Sequence, residues 1–103
     1  EDVRDLFPEG FPGWDLEHAA RVETALMLAL APGRVRHDRI APIDPAAPPP
    51  YTVLPSRPDA VPRQGSLSNP TGATAAAGQA LVELVTERLA KAIRRDVLAS
   101  GVG

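Results

Sequence analysis

The sequence predicts part of an α/β protein: two main helices and a long proline-rich wrapping segment, with the sheet that the helices would pack on lying mostly outside the chain. Three observations lead there. All 12 prolines fall between Pro8 and Pro70 and residues 71–103 contain none, so a proline-punctuated region gives way to one uninterrupted helical region. From Ala25 to Leu30 every residue is apolar, which leaves no solvated face on that turn and a half and calls for burial nearly all round. Two helices and a connector also bury too little surface, at this size, to offset chain entropy. The same observations leave open an obligate subunit that finds its sheet on a partner chain.

The elements follow in order. Residues 1–14, EDVRDLFPEGFPGW, hold two prolines, two glycines and both phenylalanines, and read as a short helical turn up to Phe7 followed by an irregular loop. A first helix is expected over 15–31, with Asp15 as its cap and Pro32-Gly33 as its stop. Residues 32–73 form the connector. Within it Pro48-Pro49-Pro50 favours polyproline geometry, Tyr51-Thr52-Val53-Leu54 resembles a short strand, and Ile40, Ile43, Tyr51, Val53, Leu54, Val61 and Leu67 are spaced like anchors on another surface. The second helix spans 74–98: Leu81, Val85, Leu89, Ala92, Ile93 and Val97 recur at spacings of three and four, and Glu87 to Lys91 makes a favourable pair. Ser100 to Gly103 reads as a frayed end.

Composition excludes several classes. A net charge of -2 from 11 basic and 13 acidic side chains, interspersed, gives no nucleic-acid footprint. The cluster Arg34/Arg36/His37/Arg39 reads as solvated loop charge, and Lys91/Arg94/Arg95 sits near a helix C-terminus, where cations are favourable. Without cysteine there is no disulfide, thiolate metal site or thiol nucleophile, and a reducing cytoplasm is the default expectation. The longest apolar run, Ala25 to Pro32, is far short of the roughly 20 residues of a membrane span, so a soluble protein is expected. The chain starts on a charged segment without an initiator Met, which suggests that residue 1 is not a natural start.

The chemistry concentrates in GWDLEHAARVETALMLALAP. Trp14, Asp15, Glu17 and His18 lie within five residues, where a loop meets a helix, a place at which a side chain is fixed while the preceding loop can move. His18 is a candidate general acid/base, because an imidazole titrates near neutrality; the alternative is an ordinary surface or packing histidine. Trp14 is either a hydrophobic anchor or a lid over a flat ligand. Glu23 lies on an otherwise apolar stripe with Ala19, Leu26, Met27 and Leu30, so its carboxylate is expected to be ion-paired, bonded to backbone or, less simply, bound to metal. Ser66, Ser68 and Thr71 read as turn and capping residues. No metal-ligand motif, phosphate-binding loop or nucleophile elbow is present.

At LFPEGFPGWDLEH, HAARVETALMLALAP, PPPYTVLP and the run Gly65-Ser66-Leu67-Ser68 the chain resembles the C-terminal portion of the creatininase (creatinine amidohydrolase) family, in order and over essentially its whole length. The resemblance implies the C-terminal part of a layered α/β/α fold, two divalent metal ions, zinc or manganese, bridged by a water, and opening of the creatinine ring to creatine. It implies that Trp14, Asp15, Leu16, Glu17 and His18 contact substrate, with Trp14 covering the planar ring and His18 shuttling a proton, and it suggests Glu23 as a supporting residue behind the pocket. The family's metal ligands belong to its N-terminal part, and neither motif that carries them occurs here; the resemblance therefore implies a missing N-terminal partner segment, in an enzyme that forms hexamers. This chain carries Ala19-Ala20-Arg21 where creatininases commonly show Gly-Gly and a small or aromatic residue, and Ala25 where Ser is usual. A creatininase-like peptidase of redox-cofactor maturation and a noncatalytic assembly subunit are the competing readings.

Overall fold

The computed structural model describes residues 3–8, 10–11, 13–47, 51–55, 57–58 and 62–99; the expectations for Pro48–Pro50, Val61 and 100–103 lie outside them. Two α-helices carry the structure: α1, Arg21–Leu30, and α2, Ala75–Ile93, the latter running on into a single π turn, Arg94–Leu98. Short 3-10 turns punctuate the rest of the described residues, among them Val3–Leu6, Trp14–Leu16, Pro32–Arg34 and His37–Arg39. Among the described residues there is no strand. Tyr51 to Leu54, expected as one, is exposed and irregular, with Leu54 81% accessible. Its composition suits a pleated surface, but the described chain offers no neighbouring strand to pair with.

The helices meet at a small-residue contact. Gly78 is buried, and a Cβ built there would collide with the carbonyl of Ala25 and stand 3.1 Å from the Cβ of Ala29. Glycine inside a helix costs about 1 kcal/mol relative to alanine; here it lets two backbones approach as a side chain would not allow. Around this crossing Phe7, Val22, Ala25 and Leu81 form the core, flanked by Val3, Leu6, Phe11, Leu26, Ala73 and Ala77.

α2 begins where its sequence asks: Thr74 caps it, its Oγ1 accepting the Ala77 N–H at 3.1 Å. The Glu87–Lys91 pair forms at 3.0 Å on the exposed face. Of the apolar stripe, however, only Leu81 is buried; Val85, Leu89, Ile93 and Val97 are exposed. α1 likewise buries Val22, Ala25 and Leu28 but leaves Met27 and Leu30 open, so the all-round burial expected of Ala25 to Leu30 is not met within this chain. The physical reason is that α2 covers one face of α1 only. The Cα radius of gyration is 16.9 Å, against about 13 Å for a compact chain of this length, in keeping with apolar faces that do not close on one another.

The connector is anchored in part. Ile40, Ile43 and Leu67 are half-buried, whereas Tyr51, Val53 and Leu54 are exposed. Arg34, Arg36, His37 and Arg39 are exposed, as loop charge should be. No described helix is long and apolar enough to cross a membrane.

The crossing sets a sharp expectation. Gly78→Ala should lower the unfolding free energy of the full-length protein by about 1–3 kcal/mol or more, the cost of overpacking a rigid contact, whereas Gly33→Ala, with nothing within 4 Å of its added Cβ, should be close to neutral. Urea unfolding of the two variants measures both.

Candidate functional site

α1 starts at Arg21, six residues later than Asp15, and the reason lies in the intervening turn. Trp14–Leu16 closes as a 3-10 turn, with Leu16 N–H donating to Gly13 O and Glu17 N–H to Trp14 O, both at 3.2 Å. Ala19 then adopts φ 50° and Ala20, the N-cap residue of α1, is extended. Neither conformation continues a helix. The orphan N–H groups at the start of α1 are taken by a different acid: Glu17 Oε1 accepts the N–H of Val22, while Glu23 reaches back so that its Oε2 accepts the N–H of Ala19. Asp15 is exposed on the 3-10 turn and caps nothing.

The outer side of the turn is bonded by residues far downstream. Ser68 Oγ donates to Leu16 O, Leu67 N–H to His18 O and Ser66 Oγ to Ala19 O, each at 3.0 Å. Leu67 is itself tied, its carbonyl accepting the Ala46 N–H at 2.7 Å. The expectation that Ser66 and Ser68 serve local turns and caps is corrected by these bonds: both hydroxyls reach across 47 and 52 residues. Thr71 does fit the local reading, with its N–H and hydroxyl both donating to Asn69 Oδ1. Arg21 closes the arrangement, Nε donating to Thr71 O at 2.8 Å and Nη1 to Gly10 O at 2.7 Å.

Among the five residues from Trp14 to His18 the side chains divide. Trp14, Asp15 and His18 are exposed, Leu16 is half-buried and Glu17 is buried. Trp14, 64% accessible, meets Phe11 edge to face at 4.9 Å between ring centroids, and it follows Gly13, whose φ of 110° only glycine adopts readily. With Glu17 it forms one end of a groove of about 480 Å³ floored by Val22, Leu26, Leu81 and Val85. Such a lining suits a flat, largely apolar face. Among the described residues the His18 imidazole has no hydrogen-bond partner, although the backbone on both sides of it is bonded. Glu23 bonds to backbone, one of the partners expected for it, its Oε2 accepting the Ala19 N–H, but the residue is exposed. Of its stripe, Leu26 packs on the core while Ala19, Met27 and Leu30 are exposed, so Glu23 itself stays in contact with solvent and escapes the desolvation cost of a covered stripe.

Among the described residues Glu17 is the carboxylate the fold burdens. Burial pushes its pKa above the ordinary value; hydrogen bonds from the N–H groups of Val22 and Glu23 and the charge of Arg21 oppose this, and the charge of Glu23 reinforces it. Its Oε2 is buried without a hydrogen-bond partner among the described residues. Those residues also contain no group of three metal-ligating side chains.

With this geometry in view, the comparisons with known proteins converge. The creatininase (creatinine amidohydrolase) family model matches residues 8–93, and the chain belongs to that family. A creatinine amidohydrolase from Pseudomonas putida is 43% identical over 94 residues, which are 91% of this chain and 36% of that protein. Among solved structures, a zinc–zinc form of a glutamate-to-glutamine mutant creatininase superposes with a TM-score of 0.84 at 42% identity, over 91% of this chain and 36% of that one. A mutant creatininase complexed with creatine gives 0.85 at 41% identity, over 93% and 39%. The chain thus spans little more than a third of the relatives it matches.

Two outcomes follow for the turn. Ala19 holds a left-handed conformation that costs an L-residue about 1–2 kcal/mol, so Ala19→Gly should raise the unfolding free energy by about 0.5–1 kcal/mol, read by urea unfolding. Because the folded state raises the Glu17 pKa, its contribution to stability is fully present below the ordinary carboxylate value and is lost as pH rises through the raised one. The stability of the wild type relative to Glu17→Gln should therefore fall as pH rises above the ordinary carboxylate range, as measured by unfolding at a series of pH values.

Proposed function

We propose that this chain is the C-terminal part of a metal-dependent cyclic amidohydrolase that hydrolyses creatinine to creatine, to which it contributes a Trp14 lid and a His18 proton shuttle. The observation that carries the reading is the disposition of the turn, an exposed indole on a glycine-preceded loop and an exposed imidazole whose own carbonyl and whose neighbours Leu16 and Ala19 are held by hydrogen bonds, in a chain 43% identical to a creatinine amidohydrolase.

The chemistry assigns each part a task. Water adds to the lactam carbonyl carbon, the bond from that carbon to the ring nitrogen breaks, and the nitrogen leaves with a proton. A neutral His18 takes the proton from the water and returns it to the leaving nitrogen, as a general base and then a general acid. Trp14 lies over the planar ring and excludes water. Asp15 is the exposed carboxylate available to N–H groups of the ligand; Leu16 shapes the turn and Glu17 fixes it to α1. Glu23 supports the pocket from behind through the Ala19 N–H. The described residues do not fit the two divalent ions of the reading, zinc or manganese, whose ligands it assigns to an N-terminal segment outside this chain. A cytoplasmic homo-oligomer, a hexamer by family, completes it.

In the full-length protein supplied with manganese or zinc, His18→Ala should reduce creatinine turnover by about 10²- to 10⁴-fold with metal content unchanged, and Trp14→Ala should raise KM by about 3- to 10-fold. Cleavage of a peptide without creatinine turnover would instead identify a creatininase-like peptidase, and an assembly without either activity a noncatalytic subunit.

A further inference from the structure

The imidazole assigned the proton transfer has no hydrogen-bond partner among the described residues, so what these residues offer to place it is its backbone. Every neighbouring bond to that backbone therefore matters. We propose that Ser66 and Ser68 are positioning residues of this site: together with the Leu67 N–H, their hydroxyls hold the carbonyls of Leu16, His18 and Ala19 and so fix where the His18 imidazole stands. The assignment rests on the functional reading above.

Three features support it. The donors come from three consecutive residues and fall on three carbonyls of a single turn, each at 3.0 Å. Both serines are buried, Ser68 with 2% of its surface accessible, where a hydroxyl without a partner is costly. Neither hydroxyl is needed for the start of α2, which Thr74 caps while Asn69 serves Thr71. The strap also has its own anchor in the Ala46–Leu67 bond, and the far side of the turn is held by Glu17 and Glu23. The turn is gripped from both sides. Withdrawing one hydroxyl leaves a carbonyl without its donor and lets the turn relax toward water; a 1 Å displacement of a reacting group costs on the order of 10²-fold in rate.

The test uses the full-length, metal-loaded protein with creatinine as substrate. Ser66→Ala and Ser68→Ala should each lower kcat by about 10-fold with KM changed less than about 3-fold, as expected when position and not binding is lost. Ser66→Thr, which keeps a hydroxyl, should retain most of the wild-type kcat. In a His18→Ala background the same serine substitutions should have little further effect, since two residues acting through one imidazole are not additive. A purely structural role predicts the reverse: equal losses in both backgrounds, or losses that follow thermal stability alone, and either result overturns the proposal. If a serine-to-alanine variant fails to fold, Ser66→Thr and the other single variant still decide between these outcomes. Loss of turnover in His18→Ala with unchanged kcat in the serine variants would remove the positioning role and leave the functional reading standing. Full turnover in His18→Ala, or none in the wild type, would remove both.

Discussion

Carbonyl groups outside regular secondary structure need donors, and between Leu16 and Ala19 three of them draw on one short segment, Ser66 to Ser68. Much of the geometry depends on that exchange. It joins the N-terminal loop to the connector, brings the approach to α2 alongside the entrance to α1, and holds Ala19 in a conformation that an alanine would otherwise leave. The Gly78 contact does the complementary work at the helices, allowing Ala25 and Ala29 to lie directly against α2. Together these fix the backbone of the turn while leaving the side chains of Trp14 and His18 exposed.

Under the proposed reading, in which His18 moves a proton and Trp14 covers the ligand, the combination has a functional logic. A proton-transferring group gains from a fixed position, because misplacement is costly in rate; a cover over a ligand gains from freedom to open. His18 sits where bonds converge from both sides. Trp14 sits one residue after a glycine in a backbone conformation other residues avoid, with an edge contact to Phe11 as its packing partner. Glu17 shows the cost of such an arrangement: the carboxylate that secures the turn to α1 is buried and left with one oxygen unpartnered among the described residues.

How much of this was legible in the sequence follows from the range of each interaction. α2 was readable because its periodicity is local, and the Trp14/His18 cluster stood out because rare residues crowd at a loop-helix junction. The start of α1 was not readable, since its caps come from Glu17 and Glu23 reaching over a non-helical pair and not from Asp15. The strap was invisible: a serine hydroxyl that will bond a carbonyl about 50 residues away looks like any turn serine. Gly78 gave a usable signal, a costly residue inside an otherwise alanine-rich helix, whose meaning appears only when α1 is laid against it. Tyr51 to Leu54 misled because β-forming composition does not supply a partner strand; for Glu23 the backbone bond was legible and the exposure was not, because a helical net cannot tell which apolar stripe finds a cover.

Amide hydrogen exchange on the full-length protein tests the central claim, that the His18 backbone is locked, most directly. The N–H groups of Ala19, Val22 and Leu67, which donate to Glu23, Glu17 and the His18 carbonyl, should exchange as slowly as the amides at the α1–α2 crossing. Exchange of all three at the rate of an open loop, while the crossing stays protected, would contradict it.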